Sequence, residues 1–171
     1  MRLVQPDRRS CGAACLVVAA RASSPEVAAS IPDQATFSRE VLRAHRRITS
    51  LVDRAGSLQV PWLRAIGTAP WAAARELRLI TGVDYSSHPT PVRHDAWRYV
   101  RTATQRLPVA VYIGDRLCPR HVVLVLEATD EGAWTYEPAV GNVRLVARER
   151  WTSGPLQLAG WDRPWITLAP S

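Results

Sequence analysis

The chain reads as an α+β protein, with helices in its first hundred residues and an antiparallel sheet in the remainder. Three observations predict this. Apolar residues recur at helical spacing, between recognisable caps and stops, as far as about position 106. From Pro108 onward the pattern changes to short β-branched runs joined by turn residues. The two kinds of element are segregated along the chain rather than alternating, and segregation marks α+β rather than doubly wound α/β architecture.

The elements follow in order. Cys11 to Arg21 is apolar and Ala-rich, and Ser-Ser-Pro at 23–25 stops it. Ser24-Pro25-Glu26 supplies a cap and first turn for a short helix ending before Pro32. Phe37 to Arg47 carries an apolar stripe of Phe37, Val41, Leu42 and Ala44 with arginines opposite, and His45 falls on that arginine-rich side. Gly56 to Gly67 reads as loop. Thr68 is a candidate cap for a helix from Pro70 to Thr81, which Gly82 ends. Arg93 to Arg106 forms another helix, with Trp97 and Val100 on one face. Strands are expected at Pro108–Ile113, Val122–Leu126, Ala133–Tyr136, Val143–Val146 and Trp165–Leu168. Turns at Gly114-Asp115 and Asp130-Glu131-Gly132 separate the first three. Trp161 and Trp165 are expected to pack on the sheet.

At 171 residues, with 47% hydrophobic residues, the chain fits one domain spanning 1–171 with a full core. The formal net charge of +7 comes entirely from arginine, for all 22 basic residues are Arg and none is Lys. Together with abundant Ala, Val and Pro, this is the signature of GC-rich coding rather than of a polyanionic partner. The arginines are scattered, without an aromatic-interleaved basic stripe, so nucleic acid is not an expected partner. Without lysine there is no P-loop, hence no ATPase module. Three cysteines fit neither a disulfide framework nor a zinc site, and no metal or cofactor is expected. The N-terminus lacks a signal peptide, no run approaches the ~18 apolar residues of a membrane span, and a reducing cytoplasm is expected.

The chemistry concentrates at Gln5-Pro6-Asp7-Arg8-Arg9-Ser10-Cys11-Gly12-Ala13-Ala14-Cys15. Cys11 opens a helix, where the N-terminal partial positive charge favours a thiolate nucleophile, and the small residues beside it leave room for a substrate. Gln5, six positions earlier, is placed to return its side-chain amide to the same spot as an oxyanion donor. Cys15, one turn deeper, reads as core. His121 opens the strand His-Val-Val-Leu-Val-Leu and is a candidate base. His45, His88 and His94 are weaker candidates. Glu137 ends the following strand. A hairpin brings the start of one strand beside the end of the next, so Glu137 is expected near His121, where it orients the imidazole. Cys11, His121, Glu137 and Gln5 together point to acyl transfer through a thiol, most simply hydrolysis of a peptide bond.

These residues resemble the papain-like cysteine peptidase superfamily: Gln-x5-Cys-Gly-Ala-Ala-Cys-Leu, then His before apolar strand residues, then an acidic residue followed by Pro sixteen positions later. The nearest look-alike group is the bacteriocin-processing peptidases that cut after double-glycine leaders. The likeness covers roughly 3–22 and 107–150. It implies a papain-like fold, with the nucleophile at a helix N-terminus packed on the sheet, and a peptide or protein substrate. It implies attack by Cys11, proton transfer by His121, and an oxyanion hole formed by Gln5 with the Cys11 N–H. Glu137 stands where the family usually has Asp or Asn, and Ser10 stands where exporter-type members often have Asp. The chain carries no ATPase or membrane domain, so a stand-alone relative is expected. Two alternatives remain beside hydrolysis: a degenerate papain-like domain that binds a partner without turnover, and transglutaminase-like acyl transfer.

Overall fold

The computed structural model describes residues 1–63, 65, 67–90, 93–105 and 107–171. Arg106, the expected end of one helix, lies outside them, as does the side chain of His94. Six helices and six strands are described: α1 (Cys11–Ser23), α2 (Pro25–Ser30), α3 (Gln34–Ile48), α4 (Pro70–Thr81), β1 (Tyr85–Pro89), α5 (Arg93–Val100), β2 (Val109–Gly114), β3 (Pro119–Ala128), β4 (Gly132–Glu137), β5 (Asn142–Ala147), α6 (Arg148–Thr152) and β6 (Arg163–Pro170). The strands form one antiparallel sheet in the order β1-β6-β2-β3-β4-β5.

The centre of the sheet is buried on both faces. Side chains alternate across a strand, so each strand feeds two cores. Ala110, Tyr112, Val122, Leu124 and Tyr136 pack with α1, α3 and α4 on one side. Val109, Val111, Ile113, Val123 and Val125 pack with Trp97, Val100, Trp151 and Leu156 on the other. Burial on both faces explains why Val122 to Val125 is an unbroken apolar run rather than an alternating one. None of the four is more than 3% exposed. Each contributes about 1.5–3 kcal/mol of transfer free energy.

Local chemistry sets most boundaries. Ser24 caps α2, its Oγ accepting from Val27 N at 3.2 Å, and Gly82 ends α4 in the left-handed region at φ 75°. Four expectations change. The α3 helix begins three residues earlier than its apolar stripe, because the Asp33 carboxylate caps it through Thr36 N at 2.7 Å. His45 is buried on α3 rather than part of an exposed arginine face. Ala69, not Thr68, is the cap residue of α4, where Pro70 needs no N–H partner. The helix after Arg93 gives way at Arg101 to a 3-10 turn through Gln105. It also crosses to the far face of the sheet, so the helices flank the sheet on both sides. Both β1 and α6 escaped the periodicity reading: β1 is a polar edge strand, Tyr-Ser-Ser-His-Pro, and α6 is five residues long. Trp161 packs against the far core, and Trp165 lies in β6.

A strap made of the first residues joins the ends of this fold. Leu3 N donates to Gly141 O and Gln5 N to Pro138 O, both at 2.9 Å. Tyr136 Oη donates to Leu3 O. Between them Val4 exchanges two bonds with the Gln34 side chain on α3, at 2.8 and 2.7 Å. Gly141 permits this approach: its φ is 75°, and a Cβ there would stand 2.7 Å from Leu3 C and Val4 N. Gly141→Ala therefore meets both a left-handed backbone and a clash. It is expected to destabilise the protein by at least about 2 kcal/mol, read as the midpoint shift in urea. A shift within error would show that the strap does not bear on the turn.

Candidate active site

Cys11 is the first residue of α1, and Ser10 precedes it as the cap. The Asp7 carboxylate accepts from Arg9 N at 2.8 Å, which turns the chain into the helix. The helix is seated deeply, with every residue from Cys11 to Ala19 buried. Cys15 is 1% exposed, and its thiol donates to Val122 O at 3.5 Å. Burial, with the nearby Cys11 and Glu137 charges, pushes the Cys15 thiol well up, so it stays protonated. This fits the core role expected for it.

The loop before α4 closes on the first turn of α1 through Thr68. A Cβ on Gly12 would stand 2.6 Å from Thr68 Oγ1 and 2.7 Å from Thr68 Cβ. Tyr112 Oη donates to Thr68 O at 2.9 Å from the floor of the sheet. The missing side chain at position 12 therefore makes room for Thr68, not for a substrate.

His121 and Glu137 meet as the hairpin argument predicts. His121 Nε2 and Glu137 Oε1 are 2.7 Å apart, with the side chains 7% and 2% exposed. The register pairs Leu124 with Tyr136. His121 and Glu137 are therefore diagonal rather than direct neighbours, a separation long side chains span. The extra methylene of Glu relative to Asp serves that diagonal. Glu137 Oε1 also accepts from Ala139 N at 2.9 Å.

The Cys11 side chain acts electrostatically on His121 from the cavity side, where both residues line the same pocket. With Nε2 held by Glu137, Nδ1 is the ring nitrogen left for sulfur. Burial opposes charge on the imidazole, but the interactions with Cys11 and Glu137 outweigh it and raise His121 to about 9. Glu137 is also desolvated, yet its bonds to His121 and Ala139 N keep its carboxyl below the ordinary range. The pair is thus held charged inside a low-dielectric site.

Cys11 and His121 open onto a cavity of about 640 Å³. Trp62, Thr68, Trp71 and Tyr112 line it. The two tryptophans meet edge to face, ring centroids 5.0 Å apart. Glu137 sits behind the imidazole and does not line it. Gln5 does not line it either: its amide nitrogen donates to Asp7 O at 2.6 Å, on the loop leading to Cys11. Three of the four expected residues are therefore brought together, and Gln5 lies nearby with its amide turned to the loop. Thr68, Tyr112, Trp62 and Trp71 were not expected at the site from sequence. Each reaches the site only by tertiary packing, and no local pattern marks it.

The site thus sets a cysteine at a helix N-terminus against a histidine and a carboxylate on an antiparallel sheet, the layout implied by the papain-like resemblance. No protein-family model matches the chain, and no curated protein sequence matches it. Among solved structures, the chain is similar to the peptidase domain of Streptococcus mutans ComA, at 14% identity and a TM-score of 0.44 over 99% of this chain and 98% of that one. It is also similar to the peptidase domain of Streptococcus ComA described as a bi-functional ABC transporter involved in a quorum-sensing pathway. That match has 17% identity and a TM-score of 0.45 over the same shares. No helix among the described residues is long and apolar enough to cross a membrane.

The buried pair makes stability depend on pH. His121 holds its proton more tightly folded, at about 9, than unfolded, near 6.5. Its contribution is complete below pH 6.5 and is lost as pH rises through 9. Glu137 has the opposite sign: its contribution is present above the ordinary carboxylate range and is lost as pH falls through its lowered value. Guanidinium unfolding of wild type is expected to lose about 3 kcal/mol between pH 6.5 and 9.5. His121→Gln should flatten that slope. An equally steep slope in the variant would place the titration elsewhere.

Proposed function

We propose that this protein is a cysteine peptidase-like hydrolase acting on a peptide or protein through an acyl-enzyme on Cys11. The observation that carries the reading is the buried His121–Glu137 pair, with His121 facing the same cavity as Cys11 at the start of α1. In this reading the Cys11 sulfur attacks the scissile carbonyl carbon, and negative charge develops on its oxygen. The first-turn N–H groups of α1, beginning with that of Cys11, face that charge. The C–N bond then breaks as His121 gives its proton to the leaving amine, leaving a thioester on Cys11. Water, deprotonated by His121, attacks the thioester and releases the acid and the thiol. Glu137 holds the ring so that Nδ1 faces sulfur throughout. Gln5 joins the oxyanion hole if its amide leaves Asp7 O when substrate enters.

The bacteriocin-processing likeness and a bacterial, cytoplasmic setting belong to this proposal. The setting is supported by three free cysteines. A second reading, a binding domain without turnover, is favoured by one observation: the Gln5 amide is engaged by Asp7 O. An amine in place of water at the thioester would make the protein a transferase. Trapping the thioester and then offering water or an amine separates the two outcomes.

Iodoacetamide alkylation of Cys11, followed by peptide mass spectrometry, tests the pairing directly. Labelling is expected to be fast at pH 6 in wild type and slow in His121→Ala. Equal rates would leave the binding-domain reading in its place. For turnover, Cys11→Ala is expected to abolish cleavage, His121→Ala to cost about 10³-fold or more, and Glu137→Ala to cost less, because nucleophile and base act as a unit. Cleavage by Cys11→Ala at the wild-type rate would sink the mechanism.

A further inference from the structure

We propose that the cavity takes acidic peptides, and that Arg8, Arg9 and Arg120 read the carboxylates flanking a large apolar residue seated between Trp62 and Trp71. This deepens the peptidase reading and rests on it. Three observations lead to it. All three arginines line the cavity, and among the described residues no aspartate or glutamate does. The positions of the arginines are fixed by the chain itself: Arg9 is two residues and Arg8 three residues before Cys11, and Arg120 is bonded to His121. Consecutive Cα atoms are about 3.8 Å apart, so Arg9 is at most about 8 Å from the nucleophile's backbone. Positive charge therefore brackets the Cys11–His121 pair from both sides.

Two of these charges are unpaired among the described residues, and the third is only partly engaged. Arg8 and Arg9 are exposed, and no ion pair is formed by either guanidinium among the described residues. Arg120 meets Asp115 at 3.2 Å through Nε, which leaves the two terminal nitrogens of its fork for a carboxylate. Asp115 is itself already satisfied by Leu117 N and Cys118 N, at 2.7 and 3.0 Å. Its carboxyl is held below the usual range by those bonds.

The tryptophans supply the apolar half. Trp71 is 45% exposed, an unusual state for so large an apolar surface, and it stands edge-on to Trp62. Together they form an open aromatic corner within the same cavity. Aromatic faces beside arginines also suit a single-stranded nucleic acid. The peptide is favoured because the arginines line the same cavity as the thiol and imidazole rather than forming an extended basic groove.

An exposed charge pair is worth about a two- to fivefold change in affinity, so three are expected to give about tenfold. The test uses two fluorescein-labelled ten-residue peptides that differ only in composition at four positions, glutamate in one and glutamine in the other, around a central tryptophan. On Cys11→Ala, anisotropy is expected to show about tenfold tighter binding of the glutamate peptide at 50 mM NaCl. The ratio should shrink toward one at 500 mM, where screening falls to a few ångströms. It should shrink likewise in Arg8→Gln/Arg9→Gln/Arg120→Gln. As a second measurement on wild type, the glutamate peptide should protect Cys11 from iodoacetamide at about tenfold lower concentration than the glutamine peptide. Equal affinities, no binding of either peptide, or tighter binding of a ten-nucleotide oligothymidylate each overturns the proposal. The alkylation comparison with His121→Ala reads the peptidase reading separately, so either can fail alone.

Discussion

The seat of α1 on the sheet is the constraint from which the site follows. A helix buried along its first nine residues cannot slide or rotate without opening the core beneath it. Gly12 lets Thr68 press against the first turn, and Tyr112 holds Thr68 from the sheet side. Cys15 reaches the backbone of β3 at Val122, one residue beyond His121. The position of the Cys11 sulfur relative to the imidazole is therefore set by packing several residues away from either group. That suits a reaction in which a misplacement of 1 Å is costly.

Electrostatics then act on a fixed geometry. Removing His121 and Glu137 from water penalises both charges, and their mutual pairing, with the Ala139 N–H on Glu137, offsets that penalty. Neither group tolerates the loss of its partner, whereas both are stable together. With the carboxylate behind the ring and Cys11 on the cavity side, the imidazole has one nitrogen held and the other open to the cleft, which is the division of labour the proposed mechanism requires. The surrounding apolar sheet strengthens each contact by excluding solvent.

The sequence made legible what depends on local pattern. The helix beginning at Cys11, the Ser24 cap, the Gly82 stop and the β3–β4 hairpin are all written in short segments, and the hairpin alone sufficed to pair His121 with Glu137. What it hid depends on distant partners. The β1 edge strand, Tyr-Ser-Ser-His-Pro, lacks the alternation that marks a strand, and only its antiparallel pairing with β6, some eighty residues later, defines it. Gly12 reads equally well as space for a substrate until Thr68, 56 residues later, is seen to fill it. The arginines around the cleft look scattered in sequence, since 8, 9 and 120 converge only through the fold. Gln5 shows the reverse: its spacing suggests a direction for its side chain that the Asp7 carbonyl redirects.

The strap of residues 3–5 has a mechanical meaning. It is tied to the turn that follows Glu137 and to α3 before the chain enters α1. A tug on the N-terminus is therefore taken up by hydrogen bonds loaded at the turn and by Gln34, and little of it travels on to Cys11. The arrangement works as a strain relief, like the knot that keeps a pulled cable from dragging on its solder joint.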